Sequence, residues 1–363
     1  MSRGRIQVVV VGAGIVGASI AWHLARRGAW VTIVADGEPG GVATPNSLSW
    51  INSNPRFPRD YFDLRTRSMA EWRRLAAELP GLPVKLAGSV YLPDKDLDLE
   101  AFVAQHTAWG YRVRLIDGDE LKRIEPHLTF APEMAAYAED EGAAESEDAA
   151  RFLVEVAGDG DTSFRNARVE GLASSDGRVI GVRTADGTLL GDEVVVAAGV
   201  ATPEILAGLG IELPLETPAG LLAHTAPVPP LLNGVILGDG IHMRQKLDGC
   251  LVGGASYEGA LLLDDAEAGG RELLRRMSEG VDAGDSLELD RITVGYRPTP
   301  PKGFPIVGRP PGVDGLYVAV MHSGVTLAPA IGLLAAQELL DGERDALLAP
   351  FGPQQYPMGA DAA

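Results

Sequence analysis

The feature that most limits what this chain can become lies at its start. Ile6 to Val11 is apolar except for Gln7, as a parallel strand buried on both faces requires, and it runs straight into Gly12-Ala13-Gly14-Ile15-Val16-Gly17. Helical spacing follows, with Ile15, Ala18, Trp22 and Ala25 on one face, and Gly28 stands where a left-handed residue would close the helix. Val31 to Val34 reads as the next strand. This places GxGxxG between a strand and a helix, where a dinucleotide pyrophosphate needs it. The first glycine permits the tight turn, the second lets backbone approach the phosphates, and the third lets helix and strand pack closely. The helix N-terminus adds N–H donors and positive potential. The expected ribose-binding acid is displaced. Its slot at the end of the second strand holds Ala35, and Asp36 follows one residue later, either as the ribose ligand through a shifted turn or as a solvated loop acid.

Ile6 to Ala25 is also a run of twenty residues without Asp, Glu, Lys or Arg, a pattern shared by membrane spans and signal peptides. Its glycine cluster and the polar Ser19 and His23 favour strand and helix, so no transmembrane or targeting segment is expected. The 363 residues suggest two or three folding units. A formal charge of −19 repels phosphate backbones and anionic lipid, which argues against nucleic acid and membrane-surface partners. Cys250 is the single cysteine. An intramolecular disulfide, a Cys₄ zinc site and a CxxC redox pair are therefore excluded; no metal site is expected, and a reducing, cytoplasmic setting is.

Further along, helical spacing covers Tyr61 to Leu79, Leu97 to Trp109 with Asp96 as its cap, Gly118 to Ile124 behind Asp117, Glu147 to Ala157, and Leu327 to Leu340. Strands are expected at Gly88 to Leu92, Arg112 to Ile116, Glu193 to Ala197 and Leu316 to Val320. Arg165 to Leu172, Val179 to Thr184 and Thr188 to Leu190 resemble a meander with Asp-Gly turns. From Gly220 to Arg297 the pattern is that of an antiparallel sheet (Leu221 to Thr225, Ile241 to Gln245, Leu251 to Gly253, Arg291 to Arg297) with one helix near Gly269 to Gly280. The tail beyond Pro350 reads as frayed.

Four separated segments make the chain resemble the FAD-dependent D-amino acid oxidase superfamily, which holds glycine oxidase, sarcosine oxidase and D-amino acid dehydrogenases. They are the GAGIVG turn, the stretch Gly41 to Ser47, the strand Val194 to Gly199, and a C-terminal run containing Gly295-Tyr296-Arg297-Pro298, Gly303 to Gly308 and His322 to Pro329. The resemblance implies an α/β fold: a Rossmann-like FAD-binding domain (1–87, 147–217 and 303–363) with an inserted antiparallel-sheet substrate domain (88–146 and 218–302). It also implies FAD where GxGxxG alone is neutral. Ala43, Thr44, Asn46 and Ser47 would line the route to the isoalloxazine, Val169 would meet the adenine, and Ala198 and Gly199 would pass close to the nucleotide. Gly324, Val325, Thr326 and Leu327 would open the last helix against the flavin pyrimidine ring, where a helix N-terminus favours negative charge. The slot from which some relatives tether flavin by a cysteine holds Val294, so FAD is expected to be non-covalent.

Oxidation at the carbon beside nitrogen sends a hydride to flavin N5 and needs a positioned, deprotonated amine more than a dedicated base. A carboxylated substrate also needs a planar cation, and Arg297 occupies the family's position for it. His242 and Arg244 alternate onto one face of their strand, either towards the substrate or towards solvent. His322 is a candidate electrostatic partner of the flavin, and Trp50 and Tyr296 are candidate pocket walls. The implied activity is C–N oxidation of an amino acid or N-substituted amino acid to an imine that hydrolyses, with oxygen or a quinone-type acceptor. A 2-hydroxy acid or alcohol dehydrogenase on the same fold is the alternative. A third reading, flavin hydroxylase or disulfide reductase, is opposed by the lone cysteine and by the lack of a second nucleotide motif for NADPH. A FAD-holding assembly protein or inactive subunit is the non-enzymatic option, and oligomeric state stays open.

Overall fold

Val8 to Val11 are buried on both faces, and the strand they form, Gln7–Val11, accordingly sits inside a sheet. The computed structural model describes residues 5–53, 57–95, 97–130, 132–158, 162–238, 240–255, 265–282 and 286–356. Its six-stranded sheet runs Ile306–Gly308, Leu316–Val320, Glu193–Val196, Gln7–Val11, Trp30–Ala35, Thr162–Asn166. Every pairing is parallel except the first. The first, middle and last parts of the chain thus meet in one layer, as the pattern of buried strands implies.

The helices are α1 (Ile15–Arg26), α2 (Arg59–Glu78), α3 (Leu99–Ala108), α4 (Gly118–Ile124), α5 (Ser146–Ala157), α6 (Thr202–Ala207), α7 (Ala266–Gly280) and α8 (Gly324–Asp341). Gly28 takes φ +85° directly after α1. The most extensive contact between helices among the described residues is α1 on α8. It is close because Gly332 has no side chain to strike Ser19 and His23, and Ser19 Oγ donates to the Ala328 carbonyl at 2.8 Å.

The second large sheet has eight strands in the order Leu289–Tyr296, Ala219–Pro227, Cys250–Gly254, Ile241–Gln245, Val235–Gly238, Ser89–Tyr91, Met134–Ala138, Val113–Asp117. It is antiparallel with one exception. Val235–Gly238 runs parallel to Ser89–Tyr91, and that pair is where the two separate stretches of chain join. A small sheet of Trp50–Ile51, Gly142–Ala144 and Val84–Lys85 ties the segment before α2 to the stretch that carries Ser89–Tyr91 and Met134–Ala138.

Several expectations need correction. Asp96 lies outside the described residues, and α3 is capped by Asp98, whose Oδ1 accepts the Ala101 N–H at 2.9 Å. Arg165 to Leu172 is not one strand. Thr162–Asn166 closes the parallel sheet, and the chain turns at Ala167 before Val169–Ser175 starts the meander. Met134–Ala138, Gly142–Ala144 and Val235–Gly238 have too little alternation to stand out, being buried on both sides. The tail is not frayed at Pro350. Phe351 is buried against Tyr61 and Phe304, and a 3₁₀ turn spans Pro353–Gln355; residues 357–363 lie outside the described residues.

Candidate functional site

The glycine turn is shaped by two close approaches. Gly12 takes φ +106°, and any Cβ there would strike the Ala197 carbonyl oxygen; a Cβ on Gly17 would strike that of Gly12. These two positions serve the fold. Gly14 differs: a Cβ would sit 3.2 Å from Thr44 Oγ1 and 3.9 Å from Gly41 Cα, in the cleft between the start of α1 and the following loop. The Ile15 N–H donates to Thr44 Oγ1 at 3.3 Å, and Ser146 Oγ donates to the Thr44 carbonyl at 2.7 Å, which pins that loop across the helix N-terminus.

A cavity of about 600 Å³ opens there and extends to the second large sheet. That is the size range of cofactor and ligand sites. Of the anticipated cofactor residues, Gly12, Ala13, Gly14, Ile15, Val16, Asp36, Ala43, Thr44, Asn46, Ser47, Val169, Ala198, Gly199, Gly324, Val325 and Thr326 all line it. Gly17 and Leu327 do not; the first packs beneath the turn and the second is wholly buried in the core. Asp36 follows directly on Trp30–Ala35, exposed, with Arg168 Nη1 3.6 Å from its Oδ2.

Trp50, His242, Tyr296, Arg297 and His322 gather around the same cavity. Arg297 follows the edge strand Leu289–Tyr296, and its backbone N–H donates to the Pro218 carbonyl at 3.0 Å. Its guanidinium lies over Gly220, where a Cβ would fall 2.7 Å from Cζ, so a larger residue there would displace the guanidinium from this position. Gly295 gives close passage to the loop that carries Asn46: a Cβ there would fall 2.5 Å from the Asn46 carbonyl oxygen. Trp50 faces His242 edge-on at 6.3 Å, while its Nε1 donates to Ser89 Oγ at 3.0 Å and Glu141 Oε2 at 2.9 Å. Glu141 is fully buried behind it and also accepts from Tyr91 and Tyr111 at 2.8 and 2.5 Å. Burial raises the Glu141 pKa, and these donors oppose the rise.

Arg244 does not line the cavity. It is buried, with Nη1 2.8 Å from Glu145 Oε1 and Nε donating to the Leu48 carbonyl at 2.7 Å, and it fastens the loop before Trp50 to the sheet. His322 is no fixed cation either. Burial above all, then the charges of Arg297 and Arg65, push its pKa down to about 4.

Arg65 was not anticipated. It projects from α2 into the cavity wall, 1% exposed, although the stripe Tyr61, Ser68, Trp72, Leu75 on the same helix face marks its position as one for a core residue. A cation on an apolar stripe was the available signal. Gly220 carried none, because its partner is 77 residues away in sequence.

Burial also pushes His23 and His224 down to about 4. All three histidines stay neutral in the fold while unfolded imidazoles protonate near 6.5. The unfolded chain therefore binds more protons below that value. Stability should be level above about pH 6.5 and fall progressively as pH drops towards 4. Melting temperature measured across that window checks this; a level curve from pH 7 to 4.5 would contradict it.

Comparison with known proteins gives the family of the chain and the likeness of its fold. A family model described as FAD dependent oxidoreductase (DAO) matches residues 7–338. The chain is 29% identical to a glycine oxidase of Pseudomonas putida, over 96% of this chain and 98% of the relative. It is 27% identical to a D-amino acid dehydrogenase of Cereibacter sphaeroides, over 97% and 95%. The crystal structure of glycine oxidase from Geobacillus kaustophilus superposes with a TM-score of 0.84 at 24% identity, over 97% of this chain and 99% of that one.

Proposed function

Since the chain belongs to the DAO family of FAD-dependent oxidoreductases, we propose that it oxidises the C–N bond of an amino acid or N-substituted amino acid to an imine that hydrolyses. The observation that carries this reading is Arg297, whose guanidinium is seated over Gly220 in the wall of the cavity that the glycine turn opens. A planar cation in that place matches a substrate carboxylate with two parallel N–H donors.

The residues present suit FAD. Gly14 and Gly41 leave an open cleft for a pyrophosphate at the start of α1, with Thr44 beside it. Asp36 and the backbone of Val169 would meet the adenosine part, with Ala198 and Gly199 against the nucleotide. Asn46 and Ser47 would line the approach to the ring system, and the first turn of α8, which has no acidic residue and no side-chain cap, would face the pyrimidine ring. FAD when bound supplies the hydride acceptor. Cys250 is buried on Cys250–Gly254 and does not line the cavity, which supports non-covalent attachment. Within this reading residues 1–87, 147–217 and 303–363 hold the cofactor, and 88–146 and 218–302 hold the substrate.

On the substrate side Arg297 would fix the carboxylate, and Trp50, His242 and Tyr296 would wall the reacting carbon. His322, neutral at working pH, can accept a hydrogen bond from the amine without repelling an ammonium. The proposal is tested by anaerobic titration of the yellow protein with amines, glycine, sarcosine, D- and L-amino acids and 2-hydroxy acids. Bleaching by amino acids, with ammonia or an alkylamine released on turnover, supports it. Bleaching by hydroxy acids alone would replace it with alcohol oxidation. Reoxidation by air or only by a quinone dye then identifies the acceptor.

A further inference from the structure

Among the described residues two arginines are buried near this cavity, and they are balanced differently. Arg244 has a carboxylate partner in Glu145 at 2.8 Å. Arg65, at 1% exposure, has none among the described residues. Every acceptor it finds is neutral. Nε donates to the Asn52 carbonyl at 2.9 Å, Nη2 to Asn52 Oδ1 at 2.7 Å and Thr326 Oγ1 at 3.4 Å, and Nη1 to Tyr61 Oη at 3.3 Å. The faces of Phe57 and Tyr61 lie 4.5 and 5.2 Å from its Cζ. The fully buried Glu141 is engaged by the Tyr91 and Tyr111 hydroxyls and forms no ion pair with Arg65. Removing a cation from water without an anion is costly, so a chain rich in acids that surrounds one with an amide, two hydroxyls and a carbonyl has kept its charge unquenched.

The place of that charge says what it is for. Arg65 lines the cavity, and Thr326, to which it is bonded, is in the first turn of α8. Helix N-terminus and guanidinium therefore present positive potential to the same stretch of cavity wall. We propose that Arg65 compensates the negative charge that the bound flavin acquires on reduction. This inference rests on the FAD reading above. When a neutral amine loses hydride, its C–H pair becomes the N5–H bond, the substrate leaves as a cationic iminium, and the ring holds one negative charge, delocalised over N1 and C2=O. Arg65 acts on that charge and not on the uncharged oxidised ring, so it favours the reduced form. Arg297 is left to hold the substrate.

The neutral ligand set supplies its own test. Asn52→Asp keeps the size and shape of the side chain and sets a carboxylate against Nη2, which cancels the charge of Arg65 without removing it. Arg65→Gln removes it, and Arg65→Lys keeps it. The measurement is the two-electron midpoint potential of FAD in each holoprotein, by equilibration with a reference dye. Asn52→Asp and Arg65→Gln should each disfavour reduction by roughly 10- to 100-fold, a fall of about 30 to 60 mV, with Arg65→Lys within tenfold of the parent chain. Sulfite, which adds to N5 and leaves the same negative charge on the ring, should bind weaker by a similar factor.

An unchanged potential in both charge-cancelling variants overturns the proposal, whether or not their KM for carboxylated substrates rises; a rise would make Arg65 a second substrate anchor. Loss of FAD from both variants while they remain folded overturns it as well, because the charge would then govern binding of the oxidised ring. Parent protein without a flavin spectrum would instead refute the FAD reading itself.

Discussion

Gly14→Val is expected to give a folded protein that purifies colourless. A Cβ at this position would meet no backbone closer than Gly41 Cα at 3.9 Å and asks only a shift of a few tenths of an ångström from Thr44 Oγ1 at 3.2 Å, far less than at Gly12 or Gly17. The two γ-methyl groups have only the cleft to enter, which is where the pyrophosphate must approach backbone N–H groups. Flavin absorbance per chain should fall by at least an order of magnitude, with circular dichroism unchanged. Gly12 and Gly17 are the contrast, since their missing Cβ atoms would collide with carbonyl oxygens and substitution there damages the fold. Yellow Gly14→Val protein with normal FAD content would remove the cradle from the account.

Arg297→Ala should behave in the opposite way, keeping its FAD and losing turnover. Removing one partner of a desolvated, hydrogen-bonded ion pair costs about 2–5 kcal/mol, which corresponds to a fall on the order of 10²–10³-fold in kcat/KM for carboxylated substrates. Amines lacking a carboxylate should be affected far less. Arg297→Lys should recover only part of the loss, because an ammonium cannot offer two parallel N–H donors. Steady-state kinetics with a matched pair of substrates, one carboxylated and one not, reads the difference. Equal losses on both would show that Arg297 supports the cavity wall and does not grip the acid.

Local pattern carried the nucleotide-binding half well. Continuous apolar runs mark the buried parallel strands, and the glycine turn marks the start of α1, because both follow from neighbours in sequence. What stayed hidden depends on distant partners. The Arg297 guanidinium lies over Gly220 from 77 residues away, and Arg244 turns inward because Glu145 waits there. Arg65 sits in a helix rich in exposed arginines, and only its place on the stripe of Tyr61, Ser68, Trp72 and Leu75 separates it from Arg67 and Arg74, which pair with Glu71. The helix cap moved from Asp96 to Asp98 for a smaller reason: in a segment with three aspartates, spacing alone cannot choose which one the Ala101 N–H will reach.

The parallel pairing of Ser89–Tyr91 with Val235–Gly238 has a bearing on biosynthesis. A nascent chain emerging from the ribosome has Ser89–Tyr91 long before Val235–Gly238, and α1 long before α8. Neither large sheet can be completed during the first two-thirds of translation, and the apolar face of α1 waits for almost the last helix made. Folding is thereby postponed to the end of synthesis, and C-terminally truncated chains should be prey for chaperones and proteases.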